Sequence, residues 1–192
     1  MIVLGVITWV AAIAVLLAAI GLAVLAMIIK RSALALFAAG PVLLGIGRLV
    51  FDIVIPAPDH FLLALAGLTA AVLGIVAGNP ITVAMLDYAD ARSGAKPSIV
   101  GAHGGIMITD RAIGADGQRE VLRGGTTIGY LERLVVVAAI ALGHWQIVAL
   151  LVAIKGLGRF SELDTPETRE RFIIGTLVSF IWAGACAALF AL

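Results

Sequence analysis

The stretch LVVVAAIALGHWQIVALLVAI, residues 134–154, decides the architecture of this chain. It carries no formal charge and no proline. A bilayer core about 30 Å thick takes roughly 20 apolar residues in a helix, so its length suits one membrane span. Its middle, however, reads Gly143-His144-Trp145-Gln146, a polar interruption that suits the tip of a re-entrant hairpin. Each hairpin leg would be only about ten residues and would need shelter from lipid. Length favours the span, which is the expectation; the hairpin is its alternative.

Four further apolar runs flank it: Met1–Ile29, Ser32–Pro56, Phe61–Leu86 and Phe172–Leu192. A soluble domain has no use for five such runs. Hydrophobic residues make up 62% and charged residues 13%, against soluble averages of about 45–50% and about 25%. The fold class expected is therefore an all-α integral membrane protein of about five transmembrane helices, with a small polar lobe between the third and fourth. Counting 134–154 as a hairpin instead gives four spans. The first run is not a secretion signal on this reading, because no basic residue precedes Lys30 and the apolar stretch is too long.

Division follows charge: a three-helix membrane unit over 1–86, a cytoplasmic polar connection over 87–132, and a C-terminal two-helix membrane unit over 133–192. Within the first unit, Gly40-Pro41 predicts a kink, Pro56-Ala57-Pro58 a break, and Gly78-Asn79-Pro80 a helix stop. The Gly-rich, β-branched stretches Ser98–Ile108 and Gly124–Ile128 suit one hairpin or an irregular lobe, too small to bury a core alone. Thr165-Pro166-Glu167 suits the start of the last helix.

Positive charge favours the cytoplasmic side, so Lys30-Arg31 places the N-terminus outside the plasma membrane. With five spans, Lys155, Arg159, Arg169 and Arg171 fall outside; with the hairpin they join the cations inside. The charge rule thus backs the alternative.

Ionisable groups at membrane depth are costly and are functional candidates by default. Arg48 and Asp52, four apart, share a helix face and would pair or line a polar vestibule. Arg133, His144 and Lys155 are spaced by 11, within about 20° of one face of a continuous helix, with His144 near the midplane. There His144 would relay a proton, bind a polar ligand, or bond a neighbouring helix. Gly67, Ala71, Gly74 and Gly78 place small side chains along one helix face, as do Gly175, Ser179 and Ala183; such faces let backbones approach within the bundle or across to another subunit.

Enzyme patterns are thin. Gly101-Ala102-His103-Gly104-Gly105 lacks the Lys-Ser/Thr of a phosphate loop, and His103 beside Asp110 reads as a solvated loop histidine. No metal-ligand spacing or nucleophile motif occurs, and lone Cys186 reads as a buried thiol. No cofactor and no metal are expected. A net charge of +1 gives no case for nucleic acid.

The blocks Gly129-Tyr130-Leu131-Glu132-Arg133, Ile154-Lys155-Gly156, Arg159-Phe160-Ser161-Glu162-Leu163 and Ile174-Gly175-Thr176-Leu177 occur in that order. Over residues 128–180 this resembles small uncharacterised bacterial polytopic membrane proteins with I-G-x-L-E-R, A-x-K-x-x-x-R-F-x-E-L and I-G-T-L blocks. Ala153-Ile154-Lys155 stands where Ala-Ala-Lys is usual. The resemblance implies no activity. It does imply that Glu132, Arg133, Lys155, Arg159 and Glu162 act together at the membrane surface. The expectation is a non-enzymatic accessory or structural subunit in the bacterial inner membrane, its partners the lipid bilayer and other membrane subunits or a second copy. The alternative is a small transporter or lipid- or small-molecule-binding bundle using a midplane histidine.

Overall fold

The computed structural model describes residues 2–53, 55, 59–93, 106–109, 118–121, 125–159 and 166–191. Helix α1 spans Ile2–Ile28, and a 3-10 segment over Ser32–Ala38 leads into α2, Ala39–Val50. Helix α3 runs His60–Ser93, α4 Gly125–Ala141, α5 Gln146–Arg159 and α6 Pro166–Ala191. Between α3 and α4, strands β1 (Ile106–Thr109) and β2 (Gln118–Val121) pair antiparallel, Ile106 opposite Val121. One hairpin is present, but its second strand lies outside both glycine-rich stretches; residues 98–105 of the first are outside the described residues, and residues 125–128 of the second belong to α4.

Among the described residues, four helical stretches are long and apolar enough to cross a membrane: Val3–Ile28, Ser32–Val50, His60–Arg92 and Thr168–Leu189. The fifth expected span is corrected. Residues 134–154 are not one helix but the end of α4, a turn, and most of α5. Gly143 causes the break. It sits at φ +74°, a left-handed conformation open to glycine at little cost. Its N–H bonds the Ile140 carbonyl at 3.0 Å, and the His144 N–H bonds the Ala139 carbonyl at 2.7 Å. That pair of bonds is a Schellman closure, which ends a helix by satisfying its orphan carbonyls.

Two other helices end the same way on non-glycine residues. Lys30 (φ 55°) closes α1, with Arg31 N–H on the Ala26 carbonyl; Asp52 (φ 52°) closes α2, with Ile53 N–H on the Arg48 carbonyl. At the N-terminus of α3, the Asp59 carboxylate accepts the Leu62 N–H at 2.8 Å, an N-cap that offsets one unpaired donor.

The expected stop at Asn79-Pro80 is also corrected: α3 continues through Pro80 to Ser93. Around Gly40-Pro41 the expected irregularity takes the form of a 3-10 turn passing into α2. Proline has no N–H to give, and it is cheapest in a first turn, where Pro41 lies. Helix α6 begins at Pro166, as expected.

Packing is built on small side chains. The buried face of α1 is Trp9, Ile13, Leu16, Ala19, Ala23 and Ala26, a helical 3–4 spacing. It meets Ala35, Ala38 and Val42, then Ala70, Leu73, Ala77 and Ile81 of α3, with Trp182, Cys186 and Leu189 of α6 closing the cluster. A second cluster joins Val136 and Val137 of α4 to Phe180, Ala183 and Ala187 of α6, with Val148 and Leu151 of α5 laid against it. With lipid as apolar as leucine, close van der Waals packing of such faces drives association. Helices α4 and α6 run parallel to each other, and both run antiparallel to α3.

Candidate functional site

Charged side chains converge at the end of the bundle where α1 ends and α6 begins. At its centre is Arg133, only 2% exposed. Its Nε donates to the Ile75 carbonyl at 2.8 Å, and Nη1 to Ser179 Oγ at 3.1 Å. Its guanidinium carbon lies 5.0 Å from the centroid of the Tyr130 ring, a cation–π distance. Nη2 is buried with no hydrogen-bond partner among the described residues. Arg133 of α4 therefore ties α3 and α6 together from one side chain.

Room for it comes from glycines. A β-carbon on Gly78 would lie 2.6 Å from Arg133 Nε, and one on Gly129 would lie 3.2 Å from Nη1. The Ile75 carbonyl lies one turn before Asn79 in α3, and the helix passes through Pro80 just beyond it. Gly78-Asn79-Pro80 is thus the seat of Arg133 rather than a helix end.

Beside it, Lys155 Nζ donates to Glu132 Oε2 in an ion pair joining the root of α4 to the root of α5. The same ammonium lies 5.6 Å from the Phe172 ring centroid and 5.5 Å from that of Phe180. A third link joins α6 to α3: Arg171 Nη1 reaches both Asp90 carboxylate oxygens at 2.5 Å. Ser32 Oγ donates to Asp87 Oδ2 at 2.9 Å, and Tyr130 O–H to Met27 Sδ at 3.7 Å. Of the expected surface cluster, Glu132 and Lys155 are paired, whereas the Arg133 side chain is turned into the bundle toward Ile75 and Ser179. The side chain of Arg159 and all of Glu162 lie outside the described residues, as do His103 and Asp110.

Asp90 was not legible as a member, because a stop at Pro80 would leave it in a loop; helix continuation places it facing Arg171. The signal that would have found it is the spacing Asp87–Asp90 on an unbroken helix, three residues apart.

Two other candidates are corrected. Arg48 and Asp52 do not share a helix face, since α2 ends at Val50 and Asp52 is in the left-handed conformation. Arg48 Nε instead donates to the Ile53 carbonyl at 3.1 Å, and its guanidinium carbon is 5.8 Å from the Trp9 ring centroid. No ion pair joins Arg48 to Asp52. Nor do Arg133, His144 and Lys155 share one face. His144 is an exposed residue at the α4–α5 tip, and Arg133 and Lys155 both lie at the hairpin's root.

Small-residue faces are used inside the bundle. A β-carbon at Gly74 would contact Cys186 Cβ at 3.0 Å and Val137 Cγ2 at 3.5 Å, and one at Gly175 would contact Thr82 Cγ2 at 3.5 Å. Ser179 and Ala183 are buried. Gly67 and Ala71 are half-buried and line a cavity of about 310 Å³ with His60, Val137 and Ala187. Cys186 is fully buried against Gly74.

What this arrangement does chemically is hold helices in register. Glu132 and Asp90 are engaged by Lys155 and Arg171, and Asp87 by the Ser32 hydroxyl. Among the described residues, no three His, Cys, Asp or Glu side chains converge as metal ligands would. No family model matches the chain, and no curated protein and no solved structure matches it either.

Proposed function

We propose that the chain is a non-enzymatic structural or accessory subunit of a larger membrane assembly, in which the α4–α5 hairpin enters from the charged end and stops inside the membrane. One observation carries this reading: the uncovered tip of that hairpin. Arg133 sits level with Gly78 and Ser179, and Ile140 level with Gly184. From Arg133 to Leu142 is about 14 Å of helix, roughly half a bilayer core. Helix α6 continues for about another 10 Å beyond Gly184. Yet Leu142, Gly143, His144, Trp145 and Gln146 are all exposed. Non-helical backbone and polar side chains at that depth require protein or water around them rather than lipid. A neighbouring subunit supplies that cover.

Bacterial plasma-membrane placement, with the Trp9 end outside, belongs to the same proposal. It rests on the resemblance and on the Lys and Arg bias. With the hairpin, every Lys and Arg except Arg48 belongs to the inner side.

The test is extraction in mild detergent followed by native mass spectrometry, with a photo-crosslinking residue at Trp145. A stoichiometric companion chain, crosslinked at that position, is the expected result. A stable lone monomer whose position 145 labels only lipid overturns the proposal.

A further inference from the structure

At the opposite end from the charge cluster, α1 and α2 diverge and leave an apolar groove of about 460 Å³. Its walls are Ala12 and Leu16 of α1 and Pro41 and Gly45 of α2, with Leu189 of α6 contributing. Trp9 and Arg48 mark one end; Leu16 and Pro41 mark the other. Each pair of positions is seven residues apart on its own helix, so the groove runs about 10 Å along both. It begins at a tryptophan of the kind that favours the headgroup level and runs toward the bilayer centre.

Among the described residues, Arg48 is the only charged one lining this groove. It is half-buried and held in place by the Ile53 carbonyl and the Trp9 ring. Those contacts use Nε and the guanidinium face; Nη1 and Nη2 have no hydrogen-bond partner among the described residues. The carboxylate that would neutralise it, Asp52, has turned out of reach with the end of α2. An unpaired guanidinium at the mouth of an apolar groove is complementary to one chemical class: an amphiphile with an anionic head. A guanidinium accepts a phosphate in a two-pronged hydrogen-bonded geometry.

We propose that this groove binds one anionic phospholipid, its phosphate on Arg48 and one acyl chain along the α1–α2 walls. The site is separate from the hairpin and does not depend on the assembly reading.

The full chain in mild detergent, titrated with phosphatidylglycerol, phosphatidylcholine or a free fatty acid and read by native mass spectrometry, tests it. The expected result is a single retained phosphatidylglycerol, preferred about fivefold over phosphatidylcholine, the size of one cation's attraction to anionic lipid. Arg48→Gln should bring that preference to near one, and Arg48→Lys should keep part of it. Ala12→Phe, at an exposed position in the groove wall, should remove the bound lipid while leaving the melting temperature unchanged. Undiminished preference in Arg48→Gln, lipid retention in Ala12→Phe, or equal uptake of the free fatty acid each overturns the proposal.

Discussion

Arg133 lies across Gly78 so closely that a β-carbon there would stand 2.6 Å from its Nε. The side chain is not free to retreat, because Ile75 and Ser179 hold it by hydrogen bonds and the Tyr130 ring lies against its guanidinium. Gly78→Ala should therefore destabilise the bundle by about 1–3 kcal/mol, the usual cost of overpacking. Adding Arg133→Ala should make the second change much less harmful than it is alone. A double-mutant cycle on thermal unfolding in detergent measures this; strictly additive losses would show that the two residues do not press on each other.

The Glu132–Lys155 pair closes the root of the hairpin, with both side chains largely shielded. Removing one partner leaves the other charged and poorly solvated. Glu132→Gln or Lys155→Gln should each cost about 2–4 kcal/mol, somewhat below or within the range for broken buried pairs. The double variant should recover part of that loss. Proteolysis between α4 and α5 offers a second readout, accelerating in the single variants.

Left-handed residues at helix ends give opposite signs by residue type. Lys30 and Asp52 hold positive φ at a steric cost of roughly 1 kcal/mol that glycine does not incur. Lys30→Gly should stabilise by about 0.5 kcal/mol after the extra unfolded-state entropy, and Asp52→Gly by less, since aspartate tolerates this region. Gly143→Ala should destabilise by about 1 kcal/mol. Melting temperatures of the three variants decide the matter.

Hairpin topology makes a labelling prediction. In a Cys186→Ala background, Lys96→Cys and Leu163→Cys should react with an impermeant thiol reagent from the same side of sealed vesicles. Reaction from opposite sides would restore the fifth span and remove the hairpin.

The apolar runs made the membrane class legible, since nothing else needs such lengths free of charge. Individual breaks were harder, because a proline or glycine marks a weak turn without saying whether a neighbour repairs it. Pro80 reads as a stop until α3 is seen to run on through it to Ser93. Gly143 reads as a blemish in a span until its left-handed φ and two closing bonds are seen. The charge bias of 155–171 favoured the hairpin alternative, whereas chain length favoured the span. Arg48–Asp52 failed for a local reason: four-residue spacing means a shared face only while the helix lasts. Glu132, Arg133 and Lys155 were grouped only by the resemblance, whereas Asp90 needed α3 to be continuous.

The Schellman turn at Gly143 has one more consequence, and it concerns parity. Under the proposed topology the hairpin returns to the face it entered, so the chain makes an even number of crossings. Thr8 and Leu189 already line the same groove. Both ends of the described chain therefore open onto one compartment, and a reporter joined to either should give the same answer about which compartment that is.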